Sequence, residues 1–309
     1  MTVLEAFKPS VLLSESHFHY IKGGGSIADI VQRAAEEGFY SNLEIPVVTD
    51  AGERRGIENT VRKGELSLTQ WLTPSMAAEG LSLCSLDEAL RRKSVRRAIE
   101  MMAGSVECGA AAIGIASGPD PGVAAREEAT GRLCESLCEL GAAAGRSGGM
   151  RILLEPLDRD AHRNALIGPS PEVLSLIDHT RLDSSQIGLC WDSAHTALCG
   201  EDLIESLSML RGHVGQIHIA NAVLDRSDKN FGDLHMAIGS PGFMTVEKAG
   251  QVLRSCVSIG LFSERTVCVA VENRSDEGAD PWATVNACGE ILRQAWRIAS
   301  DPDAGDREG

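Results

Sequence analysis

A chain of 309 residues, 43% hydrophobic but only 4% aromatic, can bury one large core built from Leu, Ile, Val and small side chains. Its 44 acidic against 29 basic residues, a formal charge of −15, exclude a broad nucleic-acid surface, which draws on clustered Lys and Arg. No stretch approaches the roughly 20 apolar residues of a spanning helix, no secretory signal opens the chain, and the nine dispersed cysteines include no CxxC. A cytoplasmic protein with buried structural thiols, and without a membrane partner, is therefore expected.

Residues 10–13 read as a first strand. A loop carrying His17, His19 and the glycines 23–25 then leads into a helix from about Ser26. Ile27, Ile30, Val31 and Ala34 give that helix an apolar stripe, and Gly38 ends it. Residues 39–46 form strand two, with Glu44 near its end and Pro46 at the exit. Residues 51–63 are charged and helical, and 66–72 form strand three. A long helix over 87–107, capped by Ser85 or Asp87, carries the basic run RRKSVRR, read as a solvated face. Strand four covers 110–116, and a Gly-Pro rim loop at 118–122 precedes a helix over 124–144.

From there four apolar runs follow, at 151–155 (RILLE), 187–192 (IGLCWD), 214–218 (VGQIH) and 267–272 (VCVAVE). Each closes on a potential metal ligand: Glu155, Asp192, His218 or Glu272. Helical patterns at 170–179, 200–211, 245–260 and 280–298 separate or follow them. Eight strands alternating with about eight helices predict a single (β/α)8 TIM barrel over residues 1–300. The charged DPDAGDREG tail, residues 301–309, is expected to be disordered. An open doubly wound sheet is the alternative, but no GxGxxG follows the first strand. In a parallel barrel the carboxyl ends share one rim, so the four endings can converge.

Each ending has a plainer reading. Glu155 could pair with Arg151 or Arg159, and Glu272 with Arg274. Asp192 could cap a helix over a buried His195 in the DxxH pair, and His218 could be a core histidine. As a set, two Glu, one Asp and one His suit a hard or borderline divalent ion and disfavour soft thiolate-type copper; Cys190 is expected in the barrel wall, not on the metal. Trp71 could wall a sugar ring, and His19 and Glu44 could bind a sugar hydroxyl or be ordinary rim residues. Asp233 and His235 could hold a second metal, orient substrate or stabilise the loop 222–244.

The segments ILLEPLDRD, GLCWDSAHTAL, QIHIAN, GDLHMAIGSPGF and VAVEN resemble the xylose-isomerase-like barrel superfamily, in particular its sugar isomerase/epimerase branch. The resemblance implies a TIM barrel whose Glu155, Asp192, His218 and Glu272 bind one divalent ion, Mn2+ or Co2+ preferred, Mg2+ or Zn2+ also used. It implies that His195 touches substrate or supports the site. It points to a small polyhydroxylated carbonyl substrate, isomerised or epimerised through an enediolate with Glu155 and Glu272 as the acid/base pair. An inosose-type dehydratase, an abasic-site endonuclease and a catalytically inactive interaction barrel are the alternatives. Two departures stand out. Trp71-Leu72-Thr73 and Ser117-Gly118 replace the nuclease branch's middle-barrel histidines, although Asp233 and His235 resemble its metal-binding DxH pair. The arginine often found after the strand-seven His has only Arg226 as a near counterpart, at a different spacing. Self-association into a homo-oligomer is compatible with all of these readings.

Overall fold

The computed structural model describes residues 2–301. Eight parallel strands close in sequence order: β1 (Lys8–Leu12), β2 (Asn42–Pro46), β3 (Ser67–Trp71), β4 (Ala112–Ala116), β5 (Arg151–Glu155), β6 (Ile187–Asp192), β7 (Val214–Ile219) and β8 (Cys268–Val271). Pairing of β1 with β8, through Lys8↔Cys268 to Val11↔Val271, completes the ring. This is the (β/α)8 barrel expected from the alternation of patterns. The expected tail lies, from residue 302, outside the described residues.

Seven crossover helices and one that follows β8 surround the barrel: α1 (Ile27–Glu37), α2 (Ala51–Lys63), α3 (Glu88–Glu107), α4 (Arg126–Arg146), α5 (Ser170–Thr180), α6 (Leu203–Leu210), α7 (Val246–Ser258) and last α8 (Pro281–Ser300). Their starts follow capping chemistry: Ser26, Asp50, Asp87, Asp202, Thr245 and Asp280 each accept a backbone N–H of the first turn. Gly38 closes α1 at φ 69°, a left-handed conformation that glycine adopts without a Cβ penalty.

Strand residues alternate between two environments. Leu43, Ile45, Leu68, Ile113, Ile115, Ile152, Leu154, Ile217 and Val269 belong to the apolar core shared with the helices. The opposite parity lines the barrel interior with small or polar residues. Ser10, Asn42, Glu44, Thr69 and Gln216 are linked there by hydrogen bonds, among them Ser10 Oγ to Glu44 at 2.6 Å and Asn42 Nδ2 to Ser10 at 2.8 Å. Glycines make room for large intruders. A Cβ on Gly114 would fall 2.2 Å from the Trp71 ring, so Trp71 lies across β4. Gly188 and Gly215 similarly leave space for the Arg151 guanidinium.

Three local expectations are revised. Residues 39–41 precede the strand because Tyr40 packs outward, its hydroxyl donating to the Val285 carbonyl at 2.6 Å. The stretch after β1 holds two short helices, Leu13–Ser16 and Phe18–Lys22, instead of a plain loop. The basic run on α3 is only partly solvated. Arg91 is buried against α4, bonded to Glu88 and Glu139, while Arg92 and Arg97 pair with Glu88 and Glu79. All nine cysteines are free. No described helix is long and apolar enough to cross a membrane.

Candidate metal centre

The register places Asp192 beside His218, and His218 beside Ala270, at one level of the rim. Glu155 ends β5 and Glu272 follows β8, so four side chains from four successive strands meet above the polar interior. One ligand atom from each of Glu155, Asp192, His218 and Glu272 lies within 4.8 Å of all the others. His218 Nδ1 is 3.1 Å from Glu155 Oε1, 3.3 Å from Glu272 Oε2 and 4.0 Å from Asp192 Oδ2. The arginines that could have neutralised these carboxylates are engaged elsewhere. Arg159 holds Glu172 at 2.7 Å, Arg274 holds Glu15 at 2.6 Å, and Arg151 reaches the glycines of β6 and β7.

The electrostatics indicate what such a cluster can hold. Asp192 Oδ1 accepts the His195 N–H at 2.9 Å and so caps a short helix, but the buried Oδ2 has no hydrogen-bond partner. Burial, with Glu272 and Glu155 close by, pushes the Asp192 carboxyl up to about 8. An unpaired buried carboxylate oxygen among other carboxylates calls for a cation. The residues therefore fit a divalent ion: three carboxylates and one imidazole within a common radius. Cys190 is buried at the barrel interior with its Sγ within 4.8 Å of ligand atoms of Glu155 and His218, and burial pushes its thiol well above the ordinary value. Burial would also raise Glu272, but His235 and His218 overcome it and hold that carboxyl at about 2.

Glu44 is not a rim residue and does not line the cavity. It sits fully buried one layer below the cluster, where Oε2 accepts from Trp71 Nε1 at 2.8 Å, from Gln216 Nε2, and lies 3.1 Å from His218 Nε2. Donation of the Nε2 proton to Glu44 leaves the His218 Nδ1 lone pair facing the cluster, an outer carboxylate fixing the tautomer of a metal-binding histidine. Replacing Glu44 by Gln is expected to weaken metal binding about 10–100-fold with the fold retained. Chelator competition measures this, and an unchanged affinity would remove the assigned role.

Above the cluster opens a cavity of about 400 Å³. Its lining combines apolar Leu12, Phe18, Pro46, Trp71 and Leu157 with Glu155, His195, His218, His235, Glu272 and the arginines 163 and 274. Trp71 thus stands where a sugar face could rest. His19 does not reach the cavity; it is exposed, with its ring against Phe18. His195 lines the cavity, with Nδ1 3.1 Å from Asp158 Oδ2. Burial opposes its charge, but the Asp158 hydrogen bond prevails and lifts it to about 9. Arg226 is remote from the cavity, beside Phe231 and the Asp160 carbonyl.

Asp233 and His235 do join the site. His235 Nε2 is 3.1 Å from Asp233 Oδ2 and 3.6 Å from Glu272 Oε1, and its Nδ1 is 2.6 Å from Glu15 Oε2. The loop that carries them is tied down by Asn221, whose Nδ2 donates to the Ala237 and Gly239 carbonyls. Asp158, Glu15 and Arg163 were missed from the sequence. Asp158 lies within the ILLEPLDRD segment, so the signal was present, but nothing local shows that it reaches His195.

A closed α/β barrel with a divalent-metal-binding cluster on its carboxyl rim, opening into a cavity, defines a metal-site barrel of enzymatic type. The chain belongs to the xylose isomerase-like TIM barrel family, whose model matches residues 31–255. Its fold is similar to that of a D-tagatose 3-epimerase-like protein, with TM-score 0.71 and 18% identity over 94% of this chain and 98% of that one. It is also similar to a D-psicose 3-epimerase with D-tagatose from Clostridium cellulolyticum H10, at TM-score 0.71 and 15% identity over 95% and 100%. A family 2 AP endonuclease from Brucella melitensis matches at TM-score 0.61 and 17% identity over 87% and 94%. These likenesses are of fold. No curated protein matches the sequence.

Proposed function

We propose that this protein is a divalent-metal-dependent isomerase or epimerase of a small sugar or related hydroxy-carbonyl compound. The observation that carries the reading is the Glu155–Asp192–His218–Glu272 cluster, with its unpartnered Asp192 Oδ2, at the floor of a cavity large enough for a sugar. Similarity of fold to barrels described as ketose 3-epimerases supports the choice of chemistry. Mn2+ or Co2+ suits the mixed oxygen and imidazole donors best, with Mg2+ and Zn2+ as alternatives.

A divalent ion held by the four residues would polarise a substrate carbonyl and offset the negative charge that builds on its oxygen. The remaining work falls to the chain. Trp71 and the apolar wall take the carbon face of the substrate, and charged His195 donates from Nε2 to a substrate oxygen. Glu155 and Glu272 stand on β5 and after β8, with β6 and β7 between them. One carboxylate removes the proton beside the carbonyl, and the other returns a proton. Return to the same carbon from the opposite side gives an epimer; return to the neighbouring carbon gives an aldose–ketose isomer.

The test is turnover in D2O of a panel of ketoses, aldoses, hydroxypyruvate and cyclic polyol ketones, with products followed by NMR. An epimer or positional isomer carrying deuterium next to the carbonyl is expected. Loss of water would reassign the protein as a dehydratase, and incision of abasic DNA as a nuclease. No conversion of any carbonyl substrate by metal-loaded protein would sink the proposal.

A further inference from the structure

Glu272 faces two potential cation positions. Its Oε2 points to His218 in the cluster already described, and its Oε1 lies 3.6 Å from His235 Nε2. The second position is assembled on the same plan as the first. His218 is held from its far nitrogen by buried Glu44, and His235 is held from its far nitrogen by Glu15 at 2.6 Å. Donation of the Nδ1 proton to Glu15 leaves the His235 Nε2 lone pair as an acceptor, 2.7 Å from Arg163 Nη2 and beside Asp233 Oδ2. One ligand atom from each of Glu15, His235 and Glu272 lies within 4.8 Å of the others, and Asp233 adjoins this trio through His235 Nε2.

The two positions differ in their counter-charge. In the first, Asp192 Oδ2 is without a partner. In the second, Arg163 Nη2 lies 2.8 Å from Asp233 Oδ2 and 2.7 Å from His235 Nε2, where an ion bound to both would also have to approach. The backbone at Arg163 is anchored, and its side chain, 36% exposed, reaches in from the cavity wall. Its backbone N–H donates at 2.9 Å to Asp158, the carboxylate that also holds His195. Arg274 takes up Glu15 through Nε at 2.7 Å, so that carboxylate orients His235 without adding an unpaired charge. A guanidinium does not lose its proton in a protein, so a metal ion cannot take this position by displacing a proton.

We propose that Arg163 is a fixed cation standing in for a second metal ion between Asp233, His235 and Glu272, and that it presents its guanidinium to substrate oxygens from that position. The inference rests on the reading of the first cluster as a metal site. It assigns the protein one ion per chain and gives the Asp233–His235 pair the task of holding Arg163. It also places a cation at the cavity wall where Arg226 does not reach.

Mn2+ is the probe. Equilibrium dialysis with elemental analysis should give one tightly bound ion per chain in the wild-type protein and two in R163A. Electron paramagnetic resonance of loaded R163A should show a spin-coupled Mn2+ pair, since ions bridged by one carboxylate sit about 3.5–4 Å apart. R163K, which keeps a charge, should stay at one ion, and R163A/D233N should return to one. Two ions in the wild-type protein, or one ion in folded R163A with an uncoupled spectrum, overturns the proposal while the first metal site stands. No ion in the wild-type protein removes both readings.

Discussion

Replacing Glu155 or Glu272 by Gln is expected to lower kcat by at least about 10²–10⁴-fold, the usual contribution of a positioned acid or base. The amide preserves the size of the side chain, so the barrel should still fold, with some loss of stability where the contacts of Glu155 to His218 and of Glu272 to His218 and His235 are weakened. Both variants also weaken the cluster, because each removes one of its three carboxylates. Turnover must therefore be measured at metal concentrations that restore full occupancy, with the bound metal counted. Under that condition the two lesions separate by isotope. A variant that still exchanges the substrate proton with D2O but forms no product has kept its base and lost its acid. One that shows neither has lost the base. Turnover within threefold of wild type in both fully loaded variants would refute the acid/base assignment.

The legible part of this molecule was the part written in short-range periodicity. Apolar runs ending in Glu155, Asp192 and His218 mark both the strands and the rim, because a barrel strand must be apolar toward the helices and can end in chemistry at its carboxyl end. Glu44 shows where that reading stops. It is followed by Ile45 and Pro46 within β2, so counting back from the strand end places it a layer below Glu155, which closes β5. The layer then decides its role: a residue beneath the rim meets His218 Nε2 and the Trp71 indole, not substrate.

The illegible part consists of contacts between segments beyond the strand ends. Glu15, in the one-turn helix after β1, meets His235 across 220 residues, and Arg163 meets the same ring across 72. Neither has a periodic neighbour to announce it, since single turns and loops carry no strand or helix periodicity. The sequence offers Arg226 after β7, yet the cavity is lined by Arg163 of the β5 loop and Arg274 after β8. Asp158 folds the β5 loop back through the His162 and Arg163 N–H groups. Spacing within one segment does not reveal a guanidinium supplied by another.

Substitution of Asp192 or His218 by Ala is expected to abolish tight metal binding, a loss of at least about 100-fold, beyond the 10–100-fold of an outer-carboxylate change. The electrostatics of the cluster add two signed expectations. Without an ion both groups hold protons: burial raises the Asp192 carboxyl to about 8, while for His218 burial works downward but Cys190, Glu44 and Glu155 beside it prevail and hold it well above its ordinary value. Binding an ion through Oδ2 and Nδ1 must expel those protons. At pH 7, calorimetry in buffers of different ionisation enthalpy should therefore show release of roughly one to two protons per ion, with affinity rising as pH rises toward 8. The second sign concerns stability. Asn at position 192 keeps the Oδ1 bond to the His195 N–H but removes a carboxyl that, raised to about 8 by burial, must take up a proton on folding at pH 7, so metal-free D192N should melt above metal-free wild type at that pH. Metal should reverse the order, because ligand at 100 times its Kd adds about 2.7 kcal/mol to the wild-type protein and nothing to a variant that does not bind it. A melting comparison with and without Mn2+ reads both halves. Wild type more stable than D192N in the absence of metal would mean that Asp192 is satisfied within the protein, and the cluster would lose its reason to bind an ion.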